Sequence, residues 1–447
     1  GTFNLTNTSN AITTLDAGST NRIAALDYRQ STGFTETRIN SAGGLLTLDR
    51  PSGDAIVGAG QALTFGGAGN VTVNDPIATG AGSVTKDGAG ALTLAGESRY
   101  TGATTVSAGT MIAGTNAFSA MYGAFGLDVT AVTLGDVATT LGNTSPTLLI
   151  GGSFTVGRPV TVADQATTGT YTIGGSTDSV SMFSGLVTLY QNLTVSQVAT
   201  TGTNVLNITG GISGANGSRT VTFTGAGKIS VSANAIANSS GSLAVIKTGS
   251  GTLTLSAAST YGGGTVVTNG TLMVNNTSGS GTGVGAVMVR TGTTLGGVGS
   301  IAGVVTIDGG AHLAPGTNTT GTLTLTGAGA ALAFANDAVL DCEIGGSNGS
   351  PLNDTVNLTG VGSTVSFGAN WQVMVTKAAG STITDPTGMT FVLFDYTGSD
   401  PTLPAYTIDY GSTGWRGGVI SVDAVNKRII LTGVVPTPPV YGAYFIW

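Results

Sequence analysis

Few side chains in this sequence could do chemistry. Among 447 residues there are one histidine, one cysteine, 22 acidic and 15 basic residues. The histidine, His312, stands in Gly310-Ala-His-Leu-Ala-Pro315 beside an Ala-Pro-Gly turn. No Ser–His–Asp or Cys–His arrangement suggests itself around it, and one histidine cannot build a histidine-based metal cluster. His312 therefore reads as a structural surface residue in a corner. Paired carboxylates are the surviving enzymatic chemistry, because glycoside cleavage works with two acids. Asp308, Asp341, Glu343 and Asp354 come nearest to a group. In Val339-Leu-Asp-Cys-Glu-Ile344 the acids alternate with apolar residues. Period two puts Asp341 and Glu343 on one outward face and Cys342 inward, as an inert buried thiol. Such a pair suits paired-acid chemistry or a weak calcium contact, and a solvated face accounts for it as well. Stretches such as Gly66-Gly-Ala-Gly and Gly262-Gly-Gly lack the Lys-Ser/Thr ending of a phosphate loop. The expectation is no catalytic residue, no metal and no cofactor.

The elements that would carry these residues follow from composition and patterning. Glycine is 74 of 447 residues and charged residues are only 8%, against usual shares of about 7% and 25%. Apolar-Thr-apolar triplets recur along the chain, as at Val71-Thr-Val, Leu92-Thr-Leu, Val160-Thr-Val, Leu253-Thr-Leu and Val305-Thr-Ile, with Gly, Asn or Ser between them. Such alternation is too short for the strands of a sandwich and suits the faces of a parallel β-solenoid. Apolar residues would stack inward, threonines would form outward ladders, and glycine would turn the corners. The net charge is −7 and no Lys/Arg run exists, so nucleic acid has no electrostatic footprint here. No apolar run approaches the roughly 18 residues of a membrane-spanning helix.

Two stretches are copies of one another at a constant offset. Lys86, Gly88, Gly90, Leu92, Leu94 and Tyr100 match Lys247, Gly249, Gly251, Leu253, Leu255 and Tyr261. Gly102, Thr104, Val106 and Gly109 continue the match with Gly263, Thr265, Val267 and Gly270. Copies near 84–114 and 245–275 mark a chain built by stacking units. The repeat resembles the autotransporter-associated β-strand repeat of bacterial passenger domains, which reads Lys-x-Gly-x-Gly-x-Leu-x-Leu, then Tyr-x-Gly-x-Thr-x-Val, then Gly-Thr-Leu. Met111 replaces the last Leu in the first copy. The segments Gly292-Thr-Thr-Leu-Gly-Gly-Val-Gly, Gly309-Gly-Ala-His-Leu-Ala-Pro-Gly316 and Asn353-Asp-Thr-Val-Asn-Leu are similar to those that usually follow. The resemblance implies a secreted parallel β-helix at a Gram-negative surface, acting as adhesin, carrier or structural shell. The family usually continues into a translocator barrel, of which these residues contain no part.

The ends differ from the middle. Residues 1–54 hold Asp16, Arg22, Asp27, Arg29, Glu36, Arg38, Asp49, Arg50 and Asp54, a charged pattern suited to an N-terminal cap or an assembly surface. Residues 55–365 form the solenoid. Residues 366–433 are aromatic-rich, with Phe367, Trp371, Phe391, Phe394, Tyr396, Tyr406, Tyr410 and Trp415, and read as a C-terminal β-cap or small β-domain. Residues 434–447 are a Pro-rich linker and an aromatic tail. In that tail Val440, Tyr441, Tyr444, Phe445, Ile446 and Trp447 are candidates for strand addition to a neighbouring subunit; folding back onto their own subunit is the alternative. The whole reads as an all-β parallel β-helix. The function expected is that of a secreted, non-enzymatic structural protein that assembles head to tail with copies of itself into a filament, sheath or surface layer. A monomeric adhesin binding surface glycans is the runner-up, and a β-helix polysaccharide-active enzyme the third reading.

Overall fold

The computed structural model describes residues 2–4, 11–14, 20–23, 25–27, 36–317, 319–329 and 331–438. They form short parallel strands stacked in register, the parallel β-helix expected from the alternation. Two compact units divide the chain: residues 1–254 with 260–263, and residues 255–259 with 264–447.

In the first unit, one sheet runs in spatial order through Glu36–Ser41, Ala62–Gly66, Val84–Lys86, Thr104–Val106, Val132–Leu134, Val160–Val162, Val187–Leu189 and Ile212–Gly214. A second runs through Leu45–Leu48, Asn70–Val73, Ala91–Leu94, Thr110–Ala113, Thr147–Ile150, Tyr171–Gly175 and Leu193–Gln197. Each turn of the chain visits both sheets, so every strand pairs with one from the turn before. Register then makes rows. Outward, Thr64, Thr85, Thr105, Thr133, Thr161, Thr188 and Ser213 lie opposite one another in succession. Inward, Phe65, Lys86, Val106, Leu134, Val162 and Leu189 do the same. Leu92, Leu94, Leu253 and Leu255 are all buried, each contributing about 1.5–3 kcal/mol relative to exposure.

The repeated residues now acquire physical reasons. Lys86 and Lys247 occupy inward positions, opposite Phe65 and Phe223 respectively. Each lysine packs its stem in the core and donates from Nζ to the carbonyl two residues on, of Gly88 and of Gly249. That explains Lys-x-Gly. Burial pushes both amines down to about 8. Tyr100 is fully buried, and its hydroxyl lies 2.9 Å from Thr104 Oγ1, which explains Tyr-x-Gly-x-Thr. Tyr261 is likewise fully buried. At Gly90 a Cβ would overlap the carbonyl oxygen of Gly69, and at Gly251 that of Gly227. Gly88 and Gly249 sit equally close to the backbone of Gly67 and Gly225. The matched Gly109 and Gly270 have φ of 66° and 73°, a left-handed turn that disfavours any side chain.

Arg158 is the largest unexpected core residue, with none of its surface exposed. Its guanidinium donates to the Thr130 carbonyl at 2.7 and 3.1 Å, to Thr104 Oγ1 at 3.2 Å, to Asp128 Oδ2 at 3.1 Å and to the Phe125 carbonyl. It thereby ties the Tyr100–Thr104 pair to the loop that follows. The only helix among the described residues is Val137–Gly142, opened by an Asp136–Thr139 capping box. No helix is long and apolar enough to cross a membrane.

In the second unit the parallel order persists through Thr271–Val274, Thr294–Gly297, His312–Pro315, Val339–Ser347, Trp371–Lys377 and Tyr406–Asp409. It changes at Phe391–Asp395, which pairs antiparallel with Arg428–Pro436, itself antiparallel to Trp415–Asp423. Phe334, Phe367, Trp371 and Phe394 pack against one another beneath, the closest ring centroids, those of Phe367 and Trp371, being 4.2 Å apart.

Gly90→Ala and Gly251→Ala should each lower the thermal midpoint sharply, while Ala89→Ser, at an exposed neighbour, should leave it unchanged; calorimetry on the three variants checks this. Arg158→Met should cost about 3 kcal/mol or more because it removes the ion-pair partner of Asp128 and the guanidinium's bonds to the Thr130 and Phe125 carbonyls. Arg158→Lys should recover only part of that, having fewer donors, as read by denaturant titration.

Candidate functional site

The second unit carries a cavity of about 380 Å³ whose lining includes His312, Asp341, Glu343, Asp354, Met273 and Met374. It arises from one outward row. Met273 lies opposite Gly296, Gly296 opposite Ala314, and Asp341 opposite Met374. The Met273 thioether lies over Gly296, and the minimal side chain at Ala314 leaves a depression between Met273 and the strand carrying Asp341, with Met374 on the strand beyond.

The polar groups converge from three strands or loops. His312 was expected in a corner at the surface. The structure places it instead in the strand His312–Pro315, half-buried, with Nδ1 3.0 Å from each oxygen of Asp341. That pairing was missed because the two residues are far apart in sequence and meet only through the stacking. Asp341 and Glu343 share the outward face of Val339–Ser347, as the alternation required, and Cys342 between them is fully buried. Asp354, from a loop, is 3% exposed. Its Oδ1 accepts from the Gly321 amide at 2.7 Å and its Oδ2 from the Glu343 amide at 2.9 Å. Asp308 does not join this group and pairs with Arg290 at 3.1 Å.

Burial dominates the electrostatics. It pushes the Asp354 carboxyl up to about 7, against its two amide bonds and reinforced by the charges of Glu343 and Asp341. It raises Asp341 against the opposing effect of His312, and it raises Glu343. It also raises the Cys342 thiol, leaving it an inert core residue. Glu343 Oε2 is buried with no hydrogen-bond partner. No group of three or more His, Cys, Asp or Glu among the described residues is arranged to hold a metal ion. The arrangement can therefore accept hydrogen bonds and positive charge, and can hold a proton near neutral pH.

The remaining sequence candidates lie elsewhere. Lys86, Gly88, Gly90, Leu92, Leu94, Tyr100 and their counterparts Lys247, Gly249, Gly251, Leu253, Leu255 and Tyr261 are scaffold residues, buried or pressed against backbone. Val440, Tyr441, Tyr444, Phe445, Ile446 and Trp447 lie outside the described residues. Of the charged N-terminal residues, Arg38 pairs bidentately with Asp87 at 2.6 and 2.8 Å and Arg22 with Asp49 at 2.6 Å. Asp16 and Arg29 lie outside the described residues.

Comparison with known families bears on the scaffold. The family model of the passenger-associated-transport-repeat matches residues 84–113 and 245–274. The chain therefore carries two copies of the repeat found in autotransporter passenger-type proteins. No curated protein matches it at a significant level.

Asp354 makes the pH dependence of stability a direct test. Its carboxyl is neutral in both folded and unfolded chains below its ordinary value of 3.8, and only the unfolded chain ionises between there and about 7. Its contribution to stability is thus full in acid and lost as pH rises to about 7. Wild type should therefore lose stability relative to Asp354→Asn over that window and run parallel to it above. A constant offset reports the altered hydrogen bonds; only the pH-dependent part reports the charge. Thermal melts of both proteins from pH 4 to 9 check this.

Proposed function

We propose that the chain is a secreted, non-enzymatic structural protein of the bacterial cell surface, of passenger type, that associates with copies of itself. One observation carries this reading. An outward sheet face of the first unit presents a row of threonines and a serine in register, from Thr85 to Ser213. The positions flanking that row are mostly small, including Ser83, Ala103 and Ala131 on one side and Gly135 and Ala163 on the other, while Leu186 and Tyr190 beside Thr188 are exposed and apolar. Asp87, the acid beside the row, is neutralised by Arg38. A face of mostly small, uncharged side chains with two exposed apolar ones lets subunits approach closely at little desolvation cost. The two passenger-associated repeats support secretion to the surface, and their residues serve packing and turns rather than reaction. The tail residues Val440 to Trp447 remain the candidate connector by strand addition, which gives a heterologous contact and open polymers.

Negative-stain imaging and size exclusion with light scattering should find concentration-dependent polymers of the full chain. Removing residues 440–447 should leave folded monomers. Polymers from the shortened chain would overturn the connector. A monomer at every concentration would overturn self-assembly and favour the alternative, a passenger adhesin that binds surface glycans.

A further inference from the structure

The cavity beside His312 is unlike the rest of the outer surface, and its features agree on one kind of ligand. Its titratable lining is one-sided: Asp341, Glu343 and Asp354 stand against a single histidine, the other polar side chains are the neutral Thr271, Thr294 and Thr376, and no lysine or arginine lines it. Its orphan group is an acceptor, because Glu343 Oε2 is buried with no donor supplied by the protein. Leaving such a group unpaired costs about 1–3 kcal/mol. Part of its wall is apolar and pliable: the Met273 thioether lies over Gly296 beside the depression at Ala314, and Met374 lines the cavity from the strand beyond Asp341. The volume of about 380 Å³ suits a group the size of one side chain rather than an extended polymer.

These demands exclude most ligand classes. An anion meets three carboxyls. A divalent cation needs several converging oxygens in its first shell, and the described residues offer no such set. A neutral alcohol supplies donors but leaves the crowded negative charge uncompensated. A primary ammonium supplies three donors and a positive charge together, and an aliphatic stem behind it fits between thioethers. We propose that this cavity binds a primary ammonium group on an aliphatic stem, with Glu343 and Asp341 accepting its hydrogen bonds and Met273 and Met374 enclosing the stem. The raised carboxyls of Asp354, Glu343 and Asp341 agree with acids held out of water, to which the charges of Glu343 and Asp341 add at Asp354 alone. The site belongs to the second unit alone, so its occupancy does not depend on whether copies of the chain associate.

The methionines report on it directly. In the full chain labelled with carbon-13 at the methionine methyls, the probe is 1-aminopentane and its neutral counterpart is 1-pentanol. The amine should shift the Met273 and Met374 signals saturably, leaving that of exposed Met121 in place; the alcohol should not. Glu343→Gln should weaken binding by about tenfold with the unliganded methyl spectrum retained. If that variant fails to fold, Ala314→Leu fills the depression from the outward face without touching charge and should abolish the shifts. N-acetyl-lysine methylamide and 1,5-diaminopentane separate the two sources of such a group: preference for the former assigns a protein lysine, preference for the latter a free polyamine. Equal shifts from pentanol and aminopentane, no saturable shift with aminopentane, or unchanged affinity in a folded variant would overturn the proposal.

Discussion

The constraint on which the rest of this protein depends is the spacing between hydrogen-bonded strands, about 4.8 Å. Every turn of the chain must lie on the previous one at that distance, in register, along its whole path. Where the path is a strand, the condition is met by ordinary pairing, and side chains fall into rows. Where the path is a corner, backbone meets backbone with no room for a Cβ. The glycines of Lys-x-Gly-x-Gly sit at such contacts, with the carbonyls of Gly69 and Gly227 occupying the space that side chains at Gly90 and Gly251 would need. Glycine abundance is thus a packing requirement, and only positions such as Gly109 and Gly270 add a conformational one.

The same spacing explains the polar residues found inside. A stack of small apolar residues leaves corner carbonyls facing inward, and a buried carbonyl needs a donor. Lys86 and Lys247 supply donors from within the core rows. The Arg158 guanidinium does so where the chain leaves the regular path around residues 125–130, and it also reaches Thr104 Oγ1, which the Tyr100 hydroxyl meets. These groups are held by hydrogen bonds rather than by exposure, and burial shifts the amines of the lysines accordingly. They reinforce the corners, and none lies where a substrate could reach it.

The concave site beside His312 arises by relaxing the row pattern rather than by adding a domain. Gly296 and Ala314 interrupt an outward row, and the long strand Val339–Ser347 carries two acids beside the gap. His312 enters from the adjacent strand. Because the surrounding faces are poor in charge, the carboxyls gathered here have His312 beside Asp341 as their one basic neighbour and do not reach bulk water freely, and their protons are held more tightly. Scaffold and site are therefore products of one register.

Much of this was legible in the residues. Alternation with period two placed Cys342 inward and its acidic neighbours outward, and gap-free matching of Lys86 to Lys247 and Tyr100 to Tyr261 announced stacked units. Those signals are local: they depend on a strand's two faces and on repeated corners. The partnership of His312 with Asp341 was not legible, nor was that of Arg158 with Thr104, because each joins residues from different turns. Successive turns differ in length, as the spacings from Val84 to Thr104 and from Thr105 to Thr133 illustrate, so counting along the chain cannot align them. By itself, then, the sequence determined which face of each strand is buried and which corners must be glycine. Which outward residues become neighbours, and hence where a site forms, was decided only when hydrogen bonding set the register between turns.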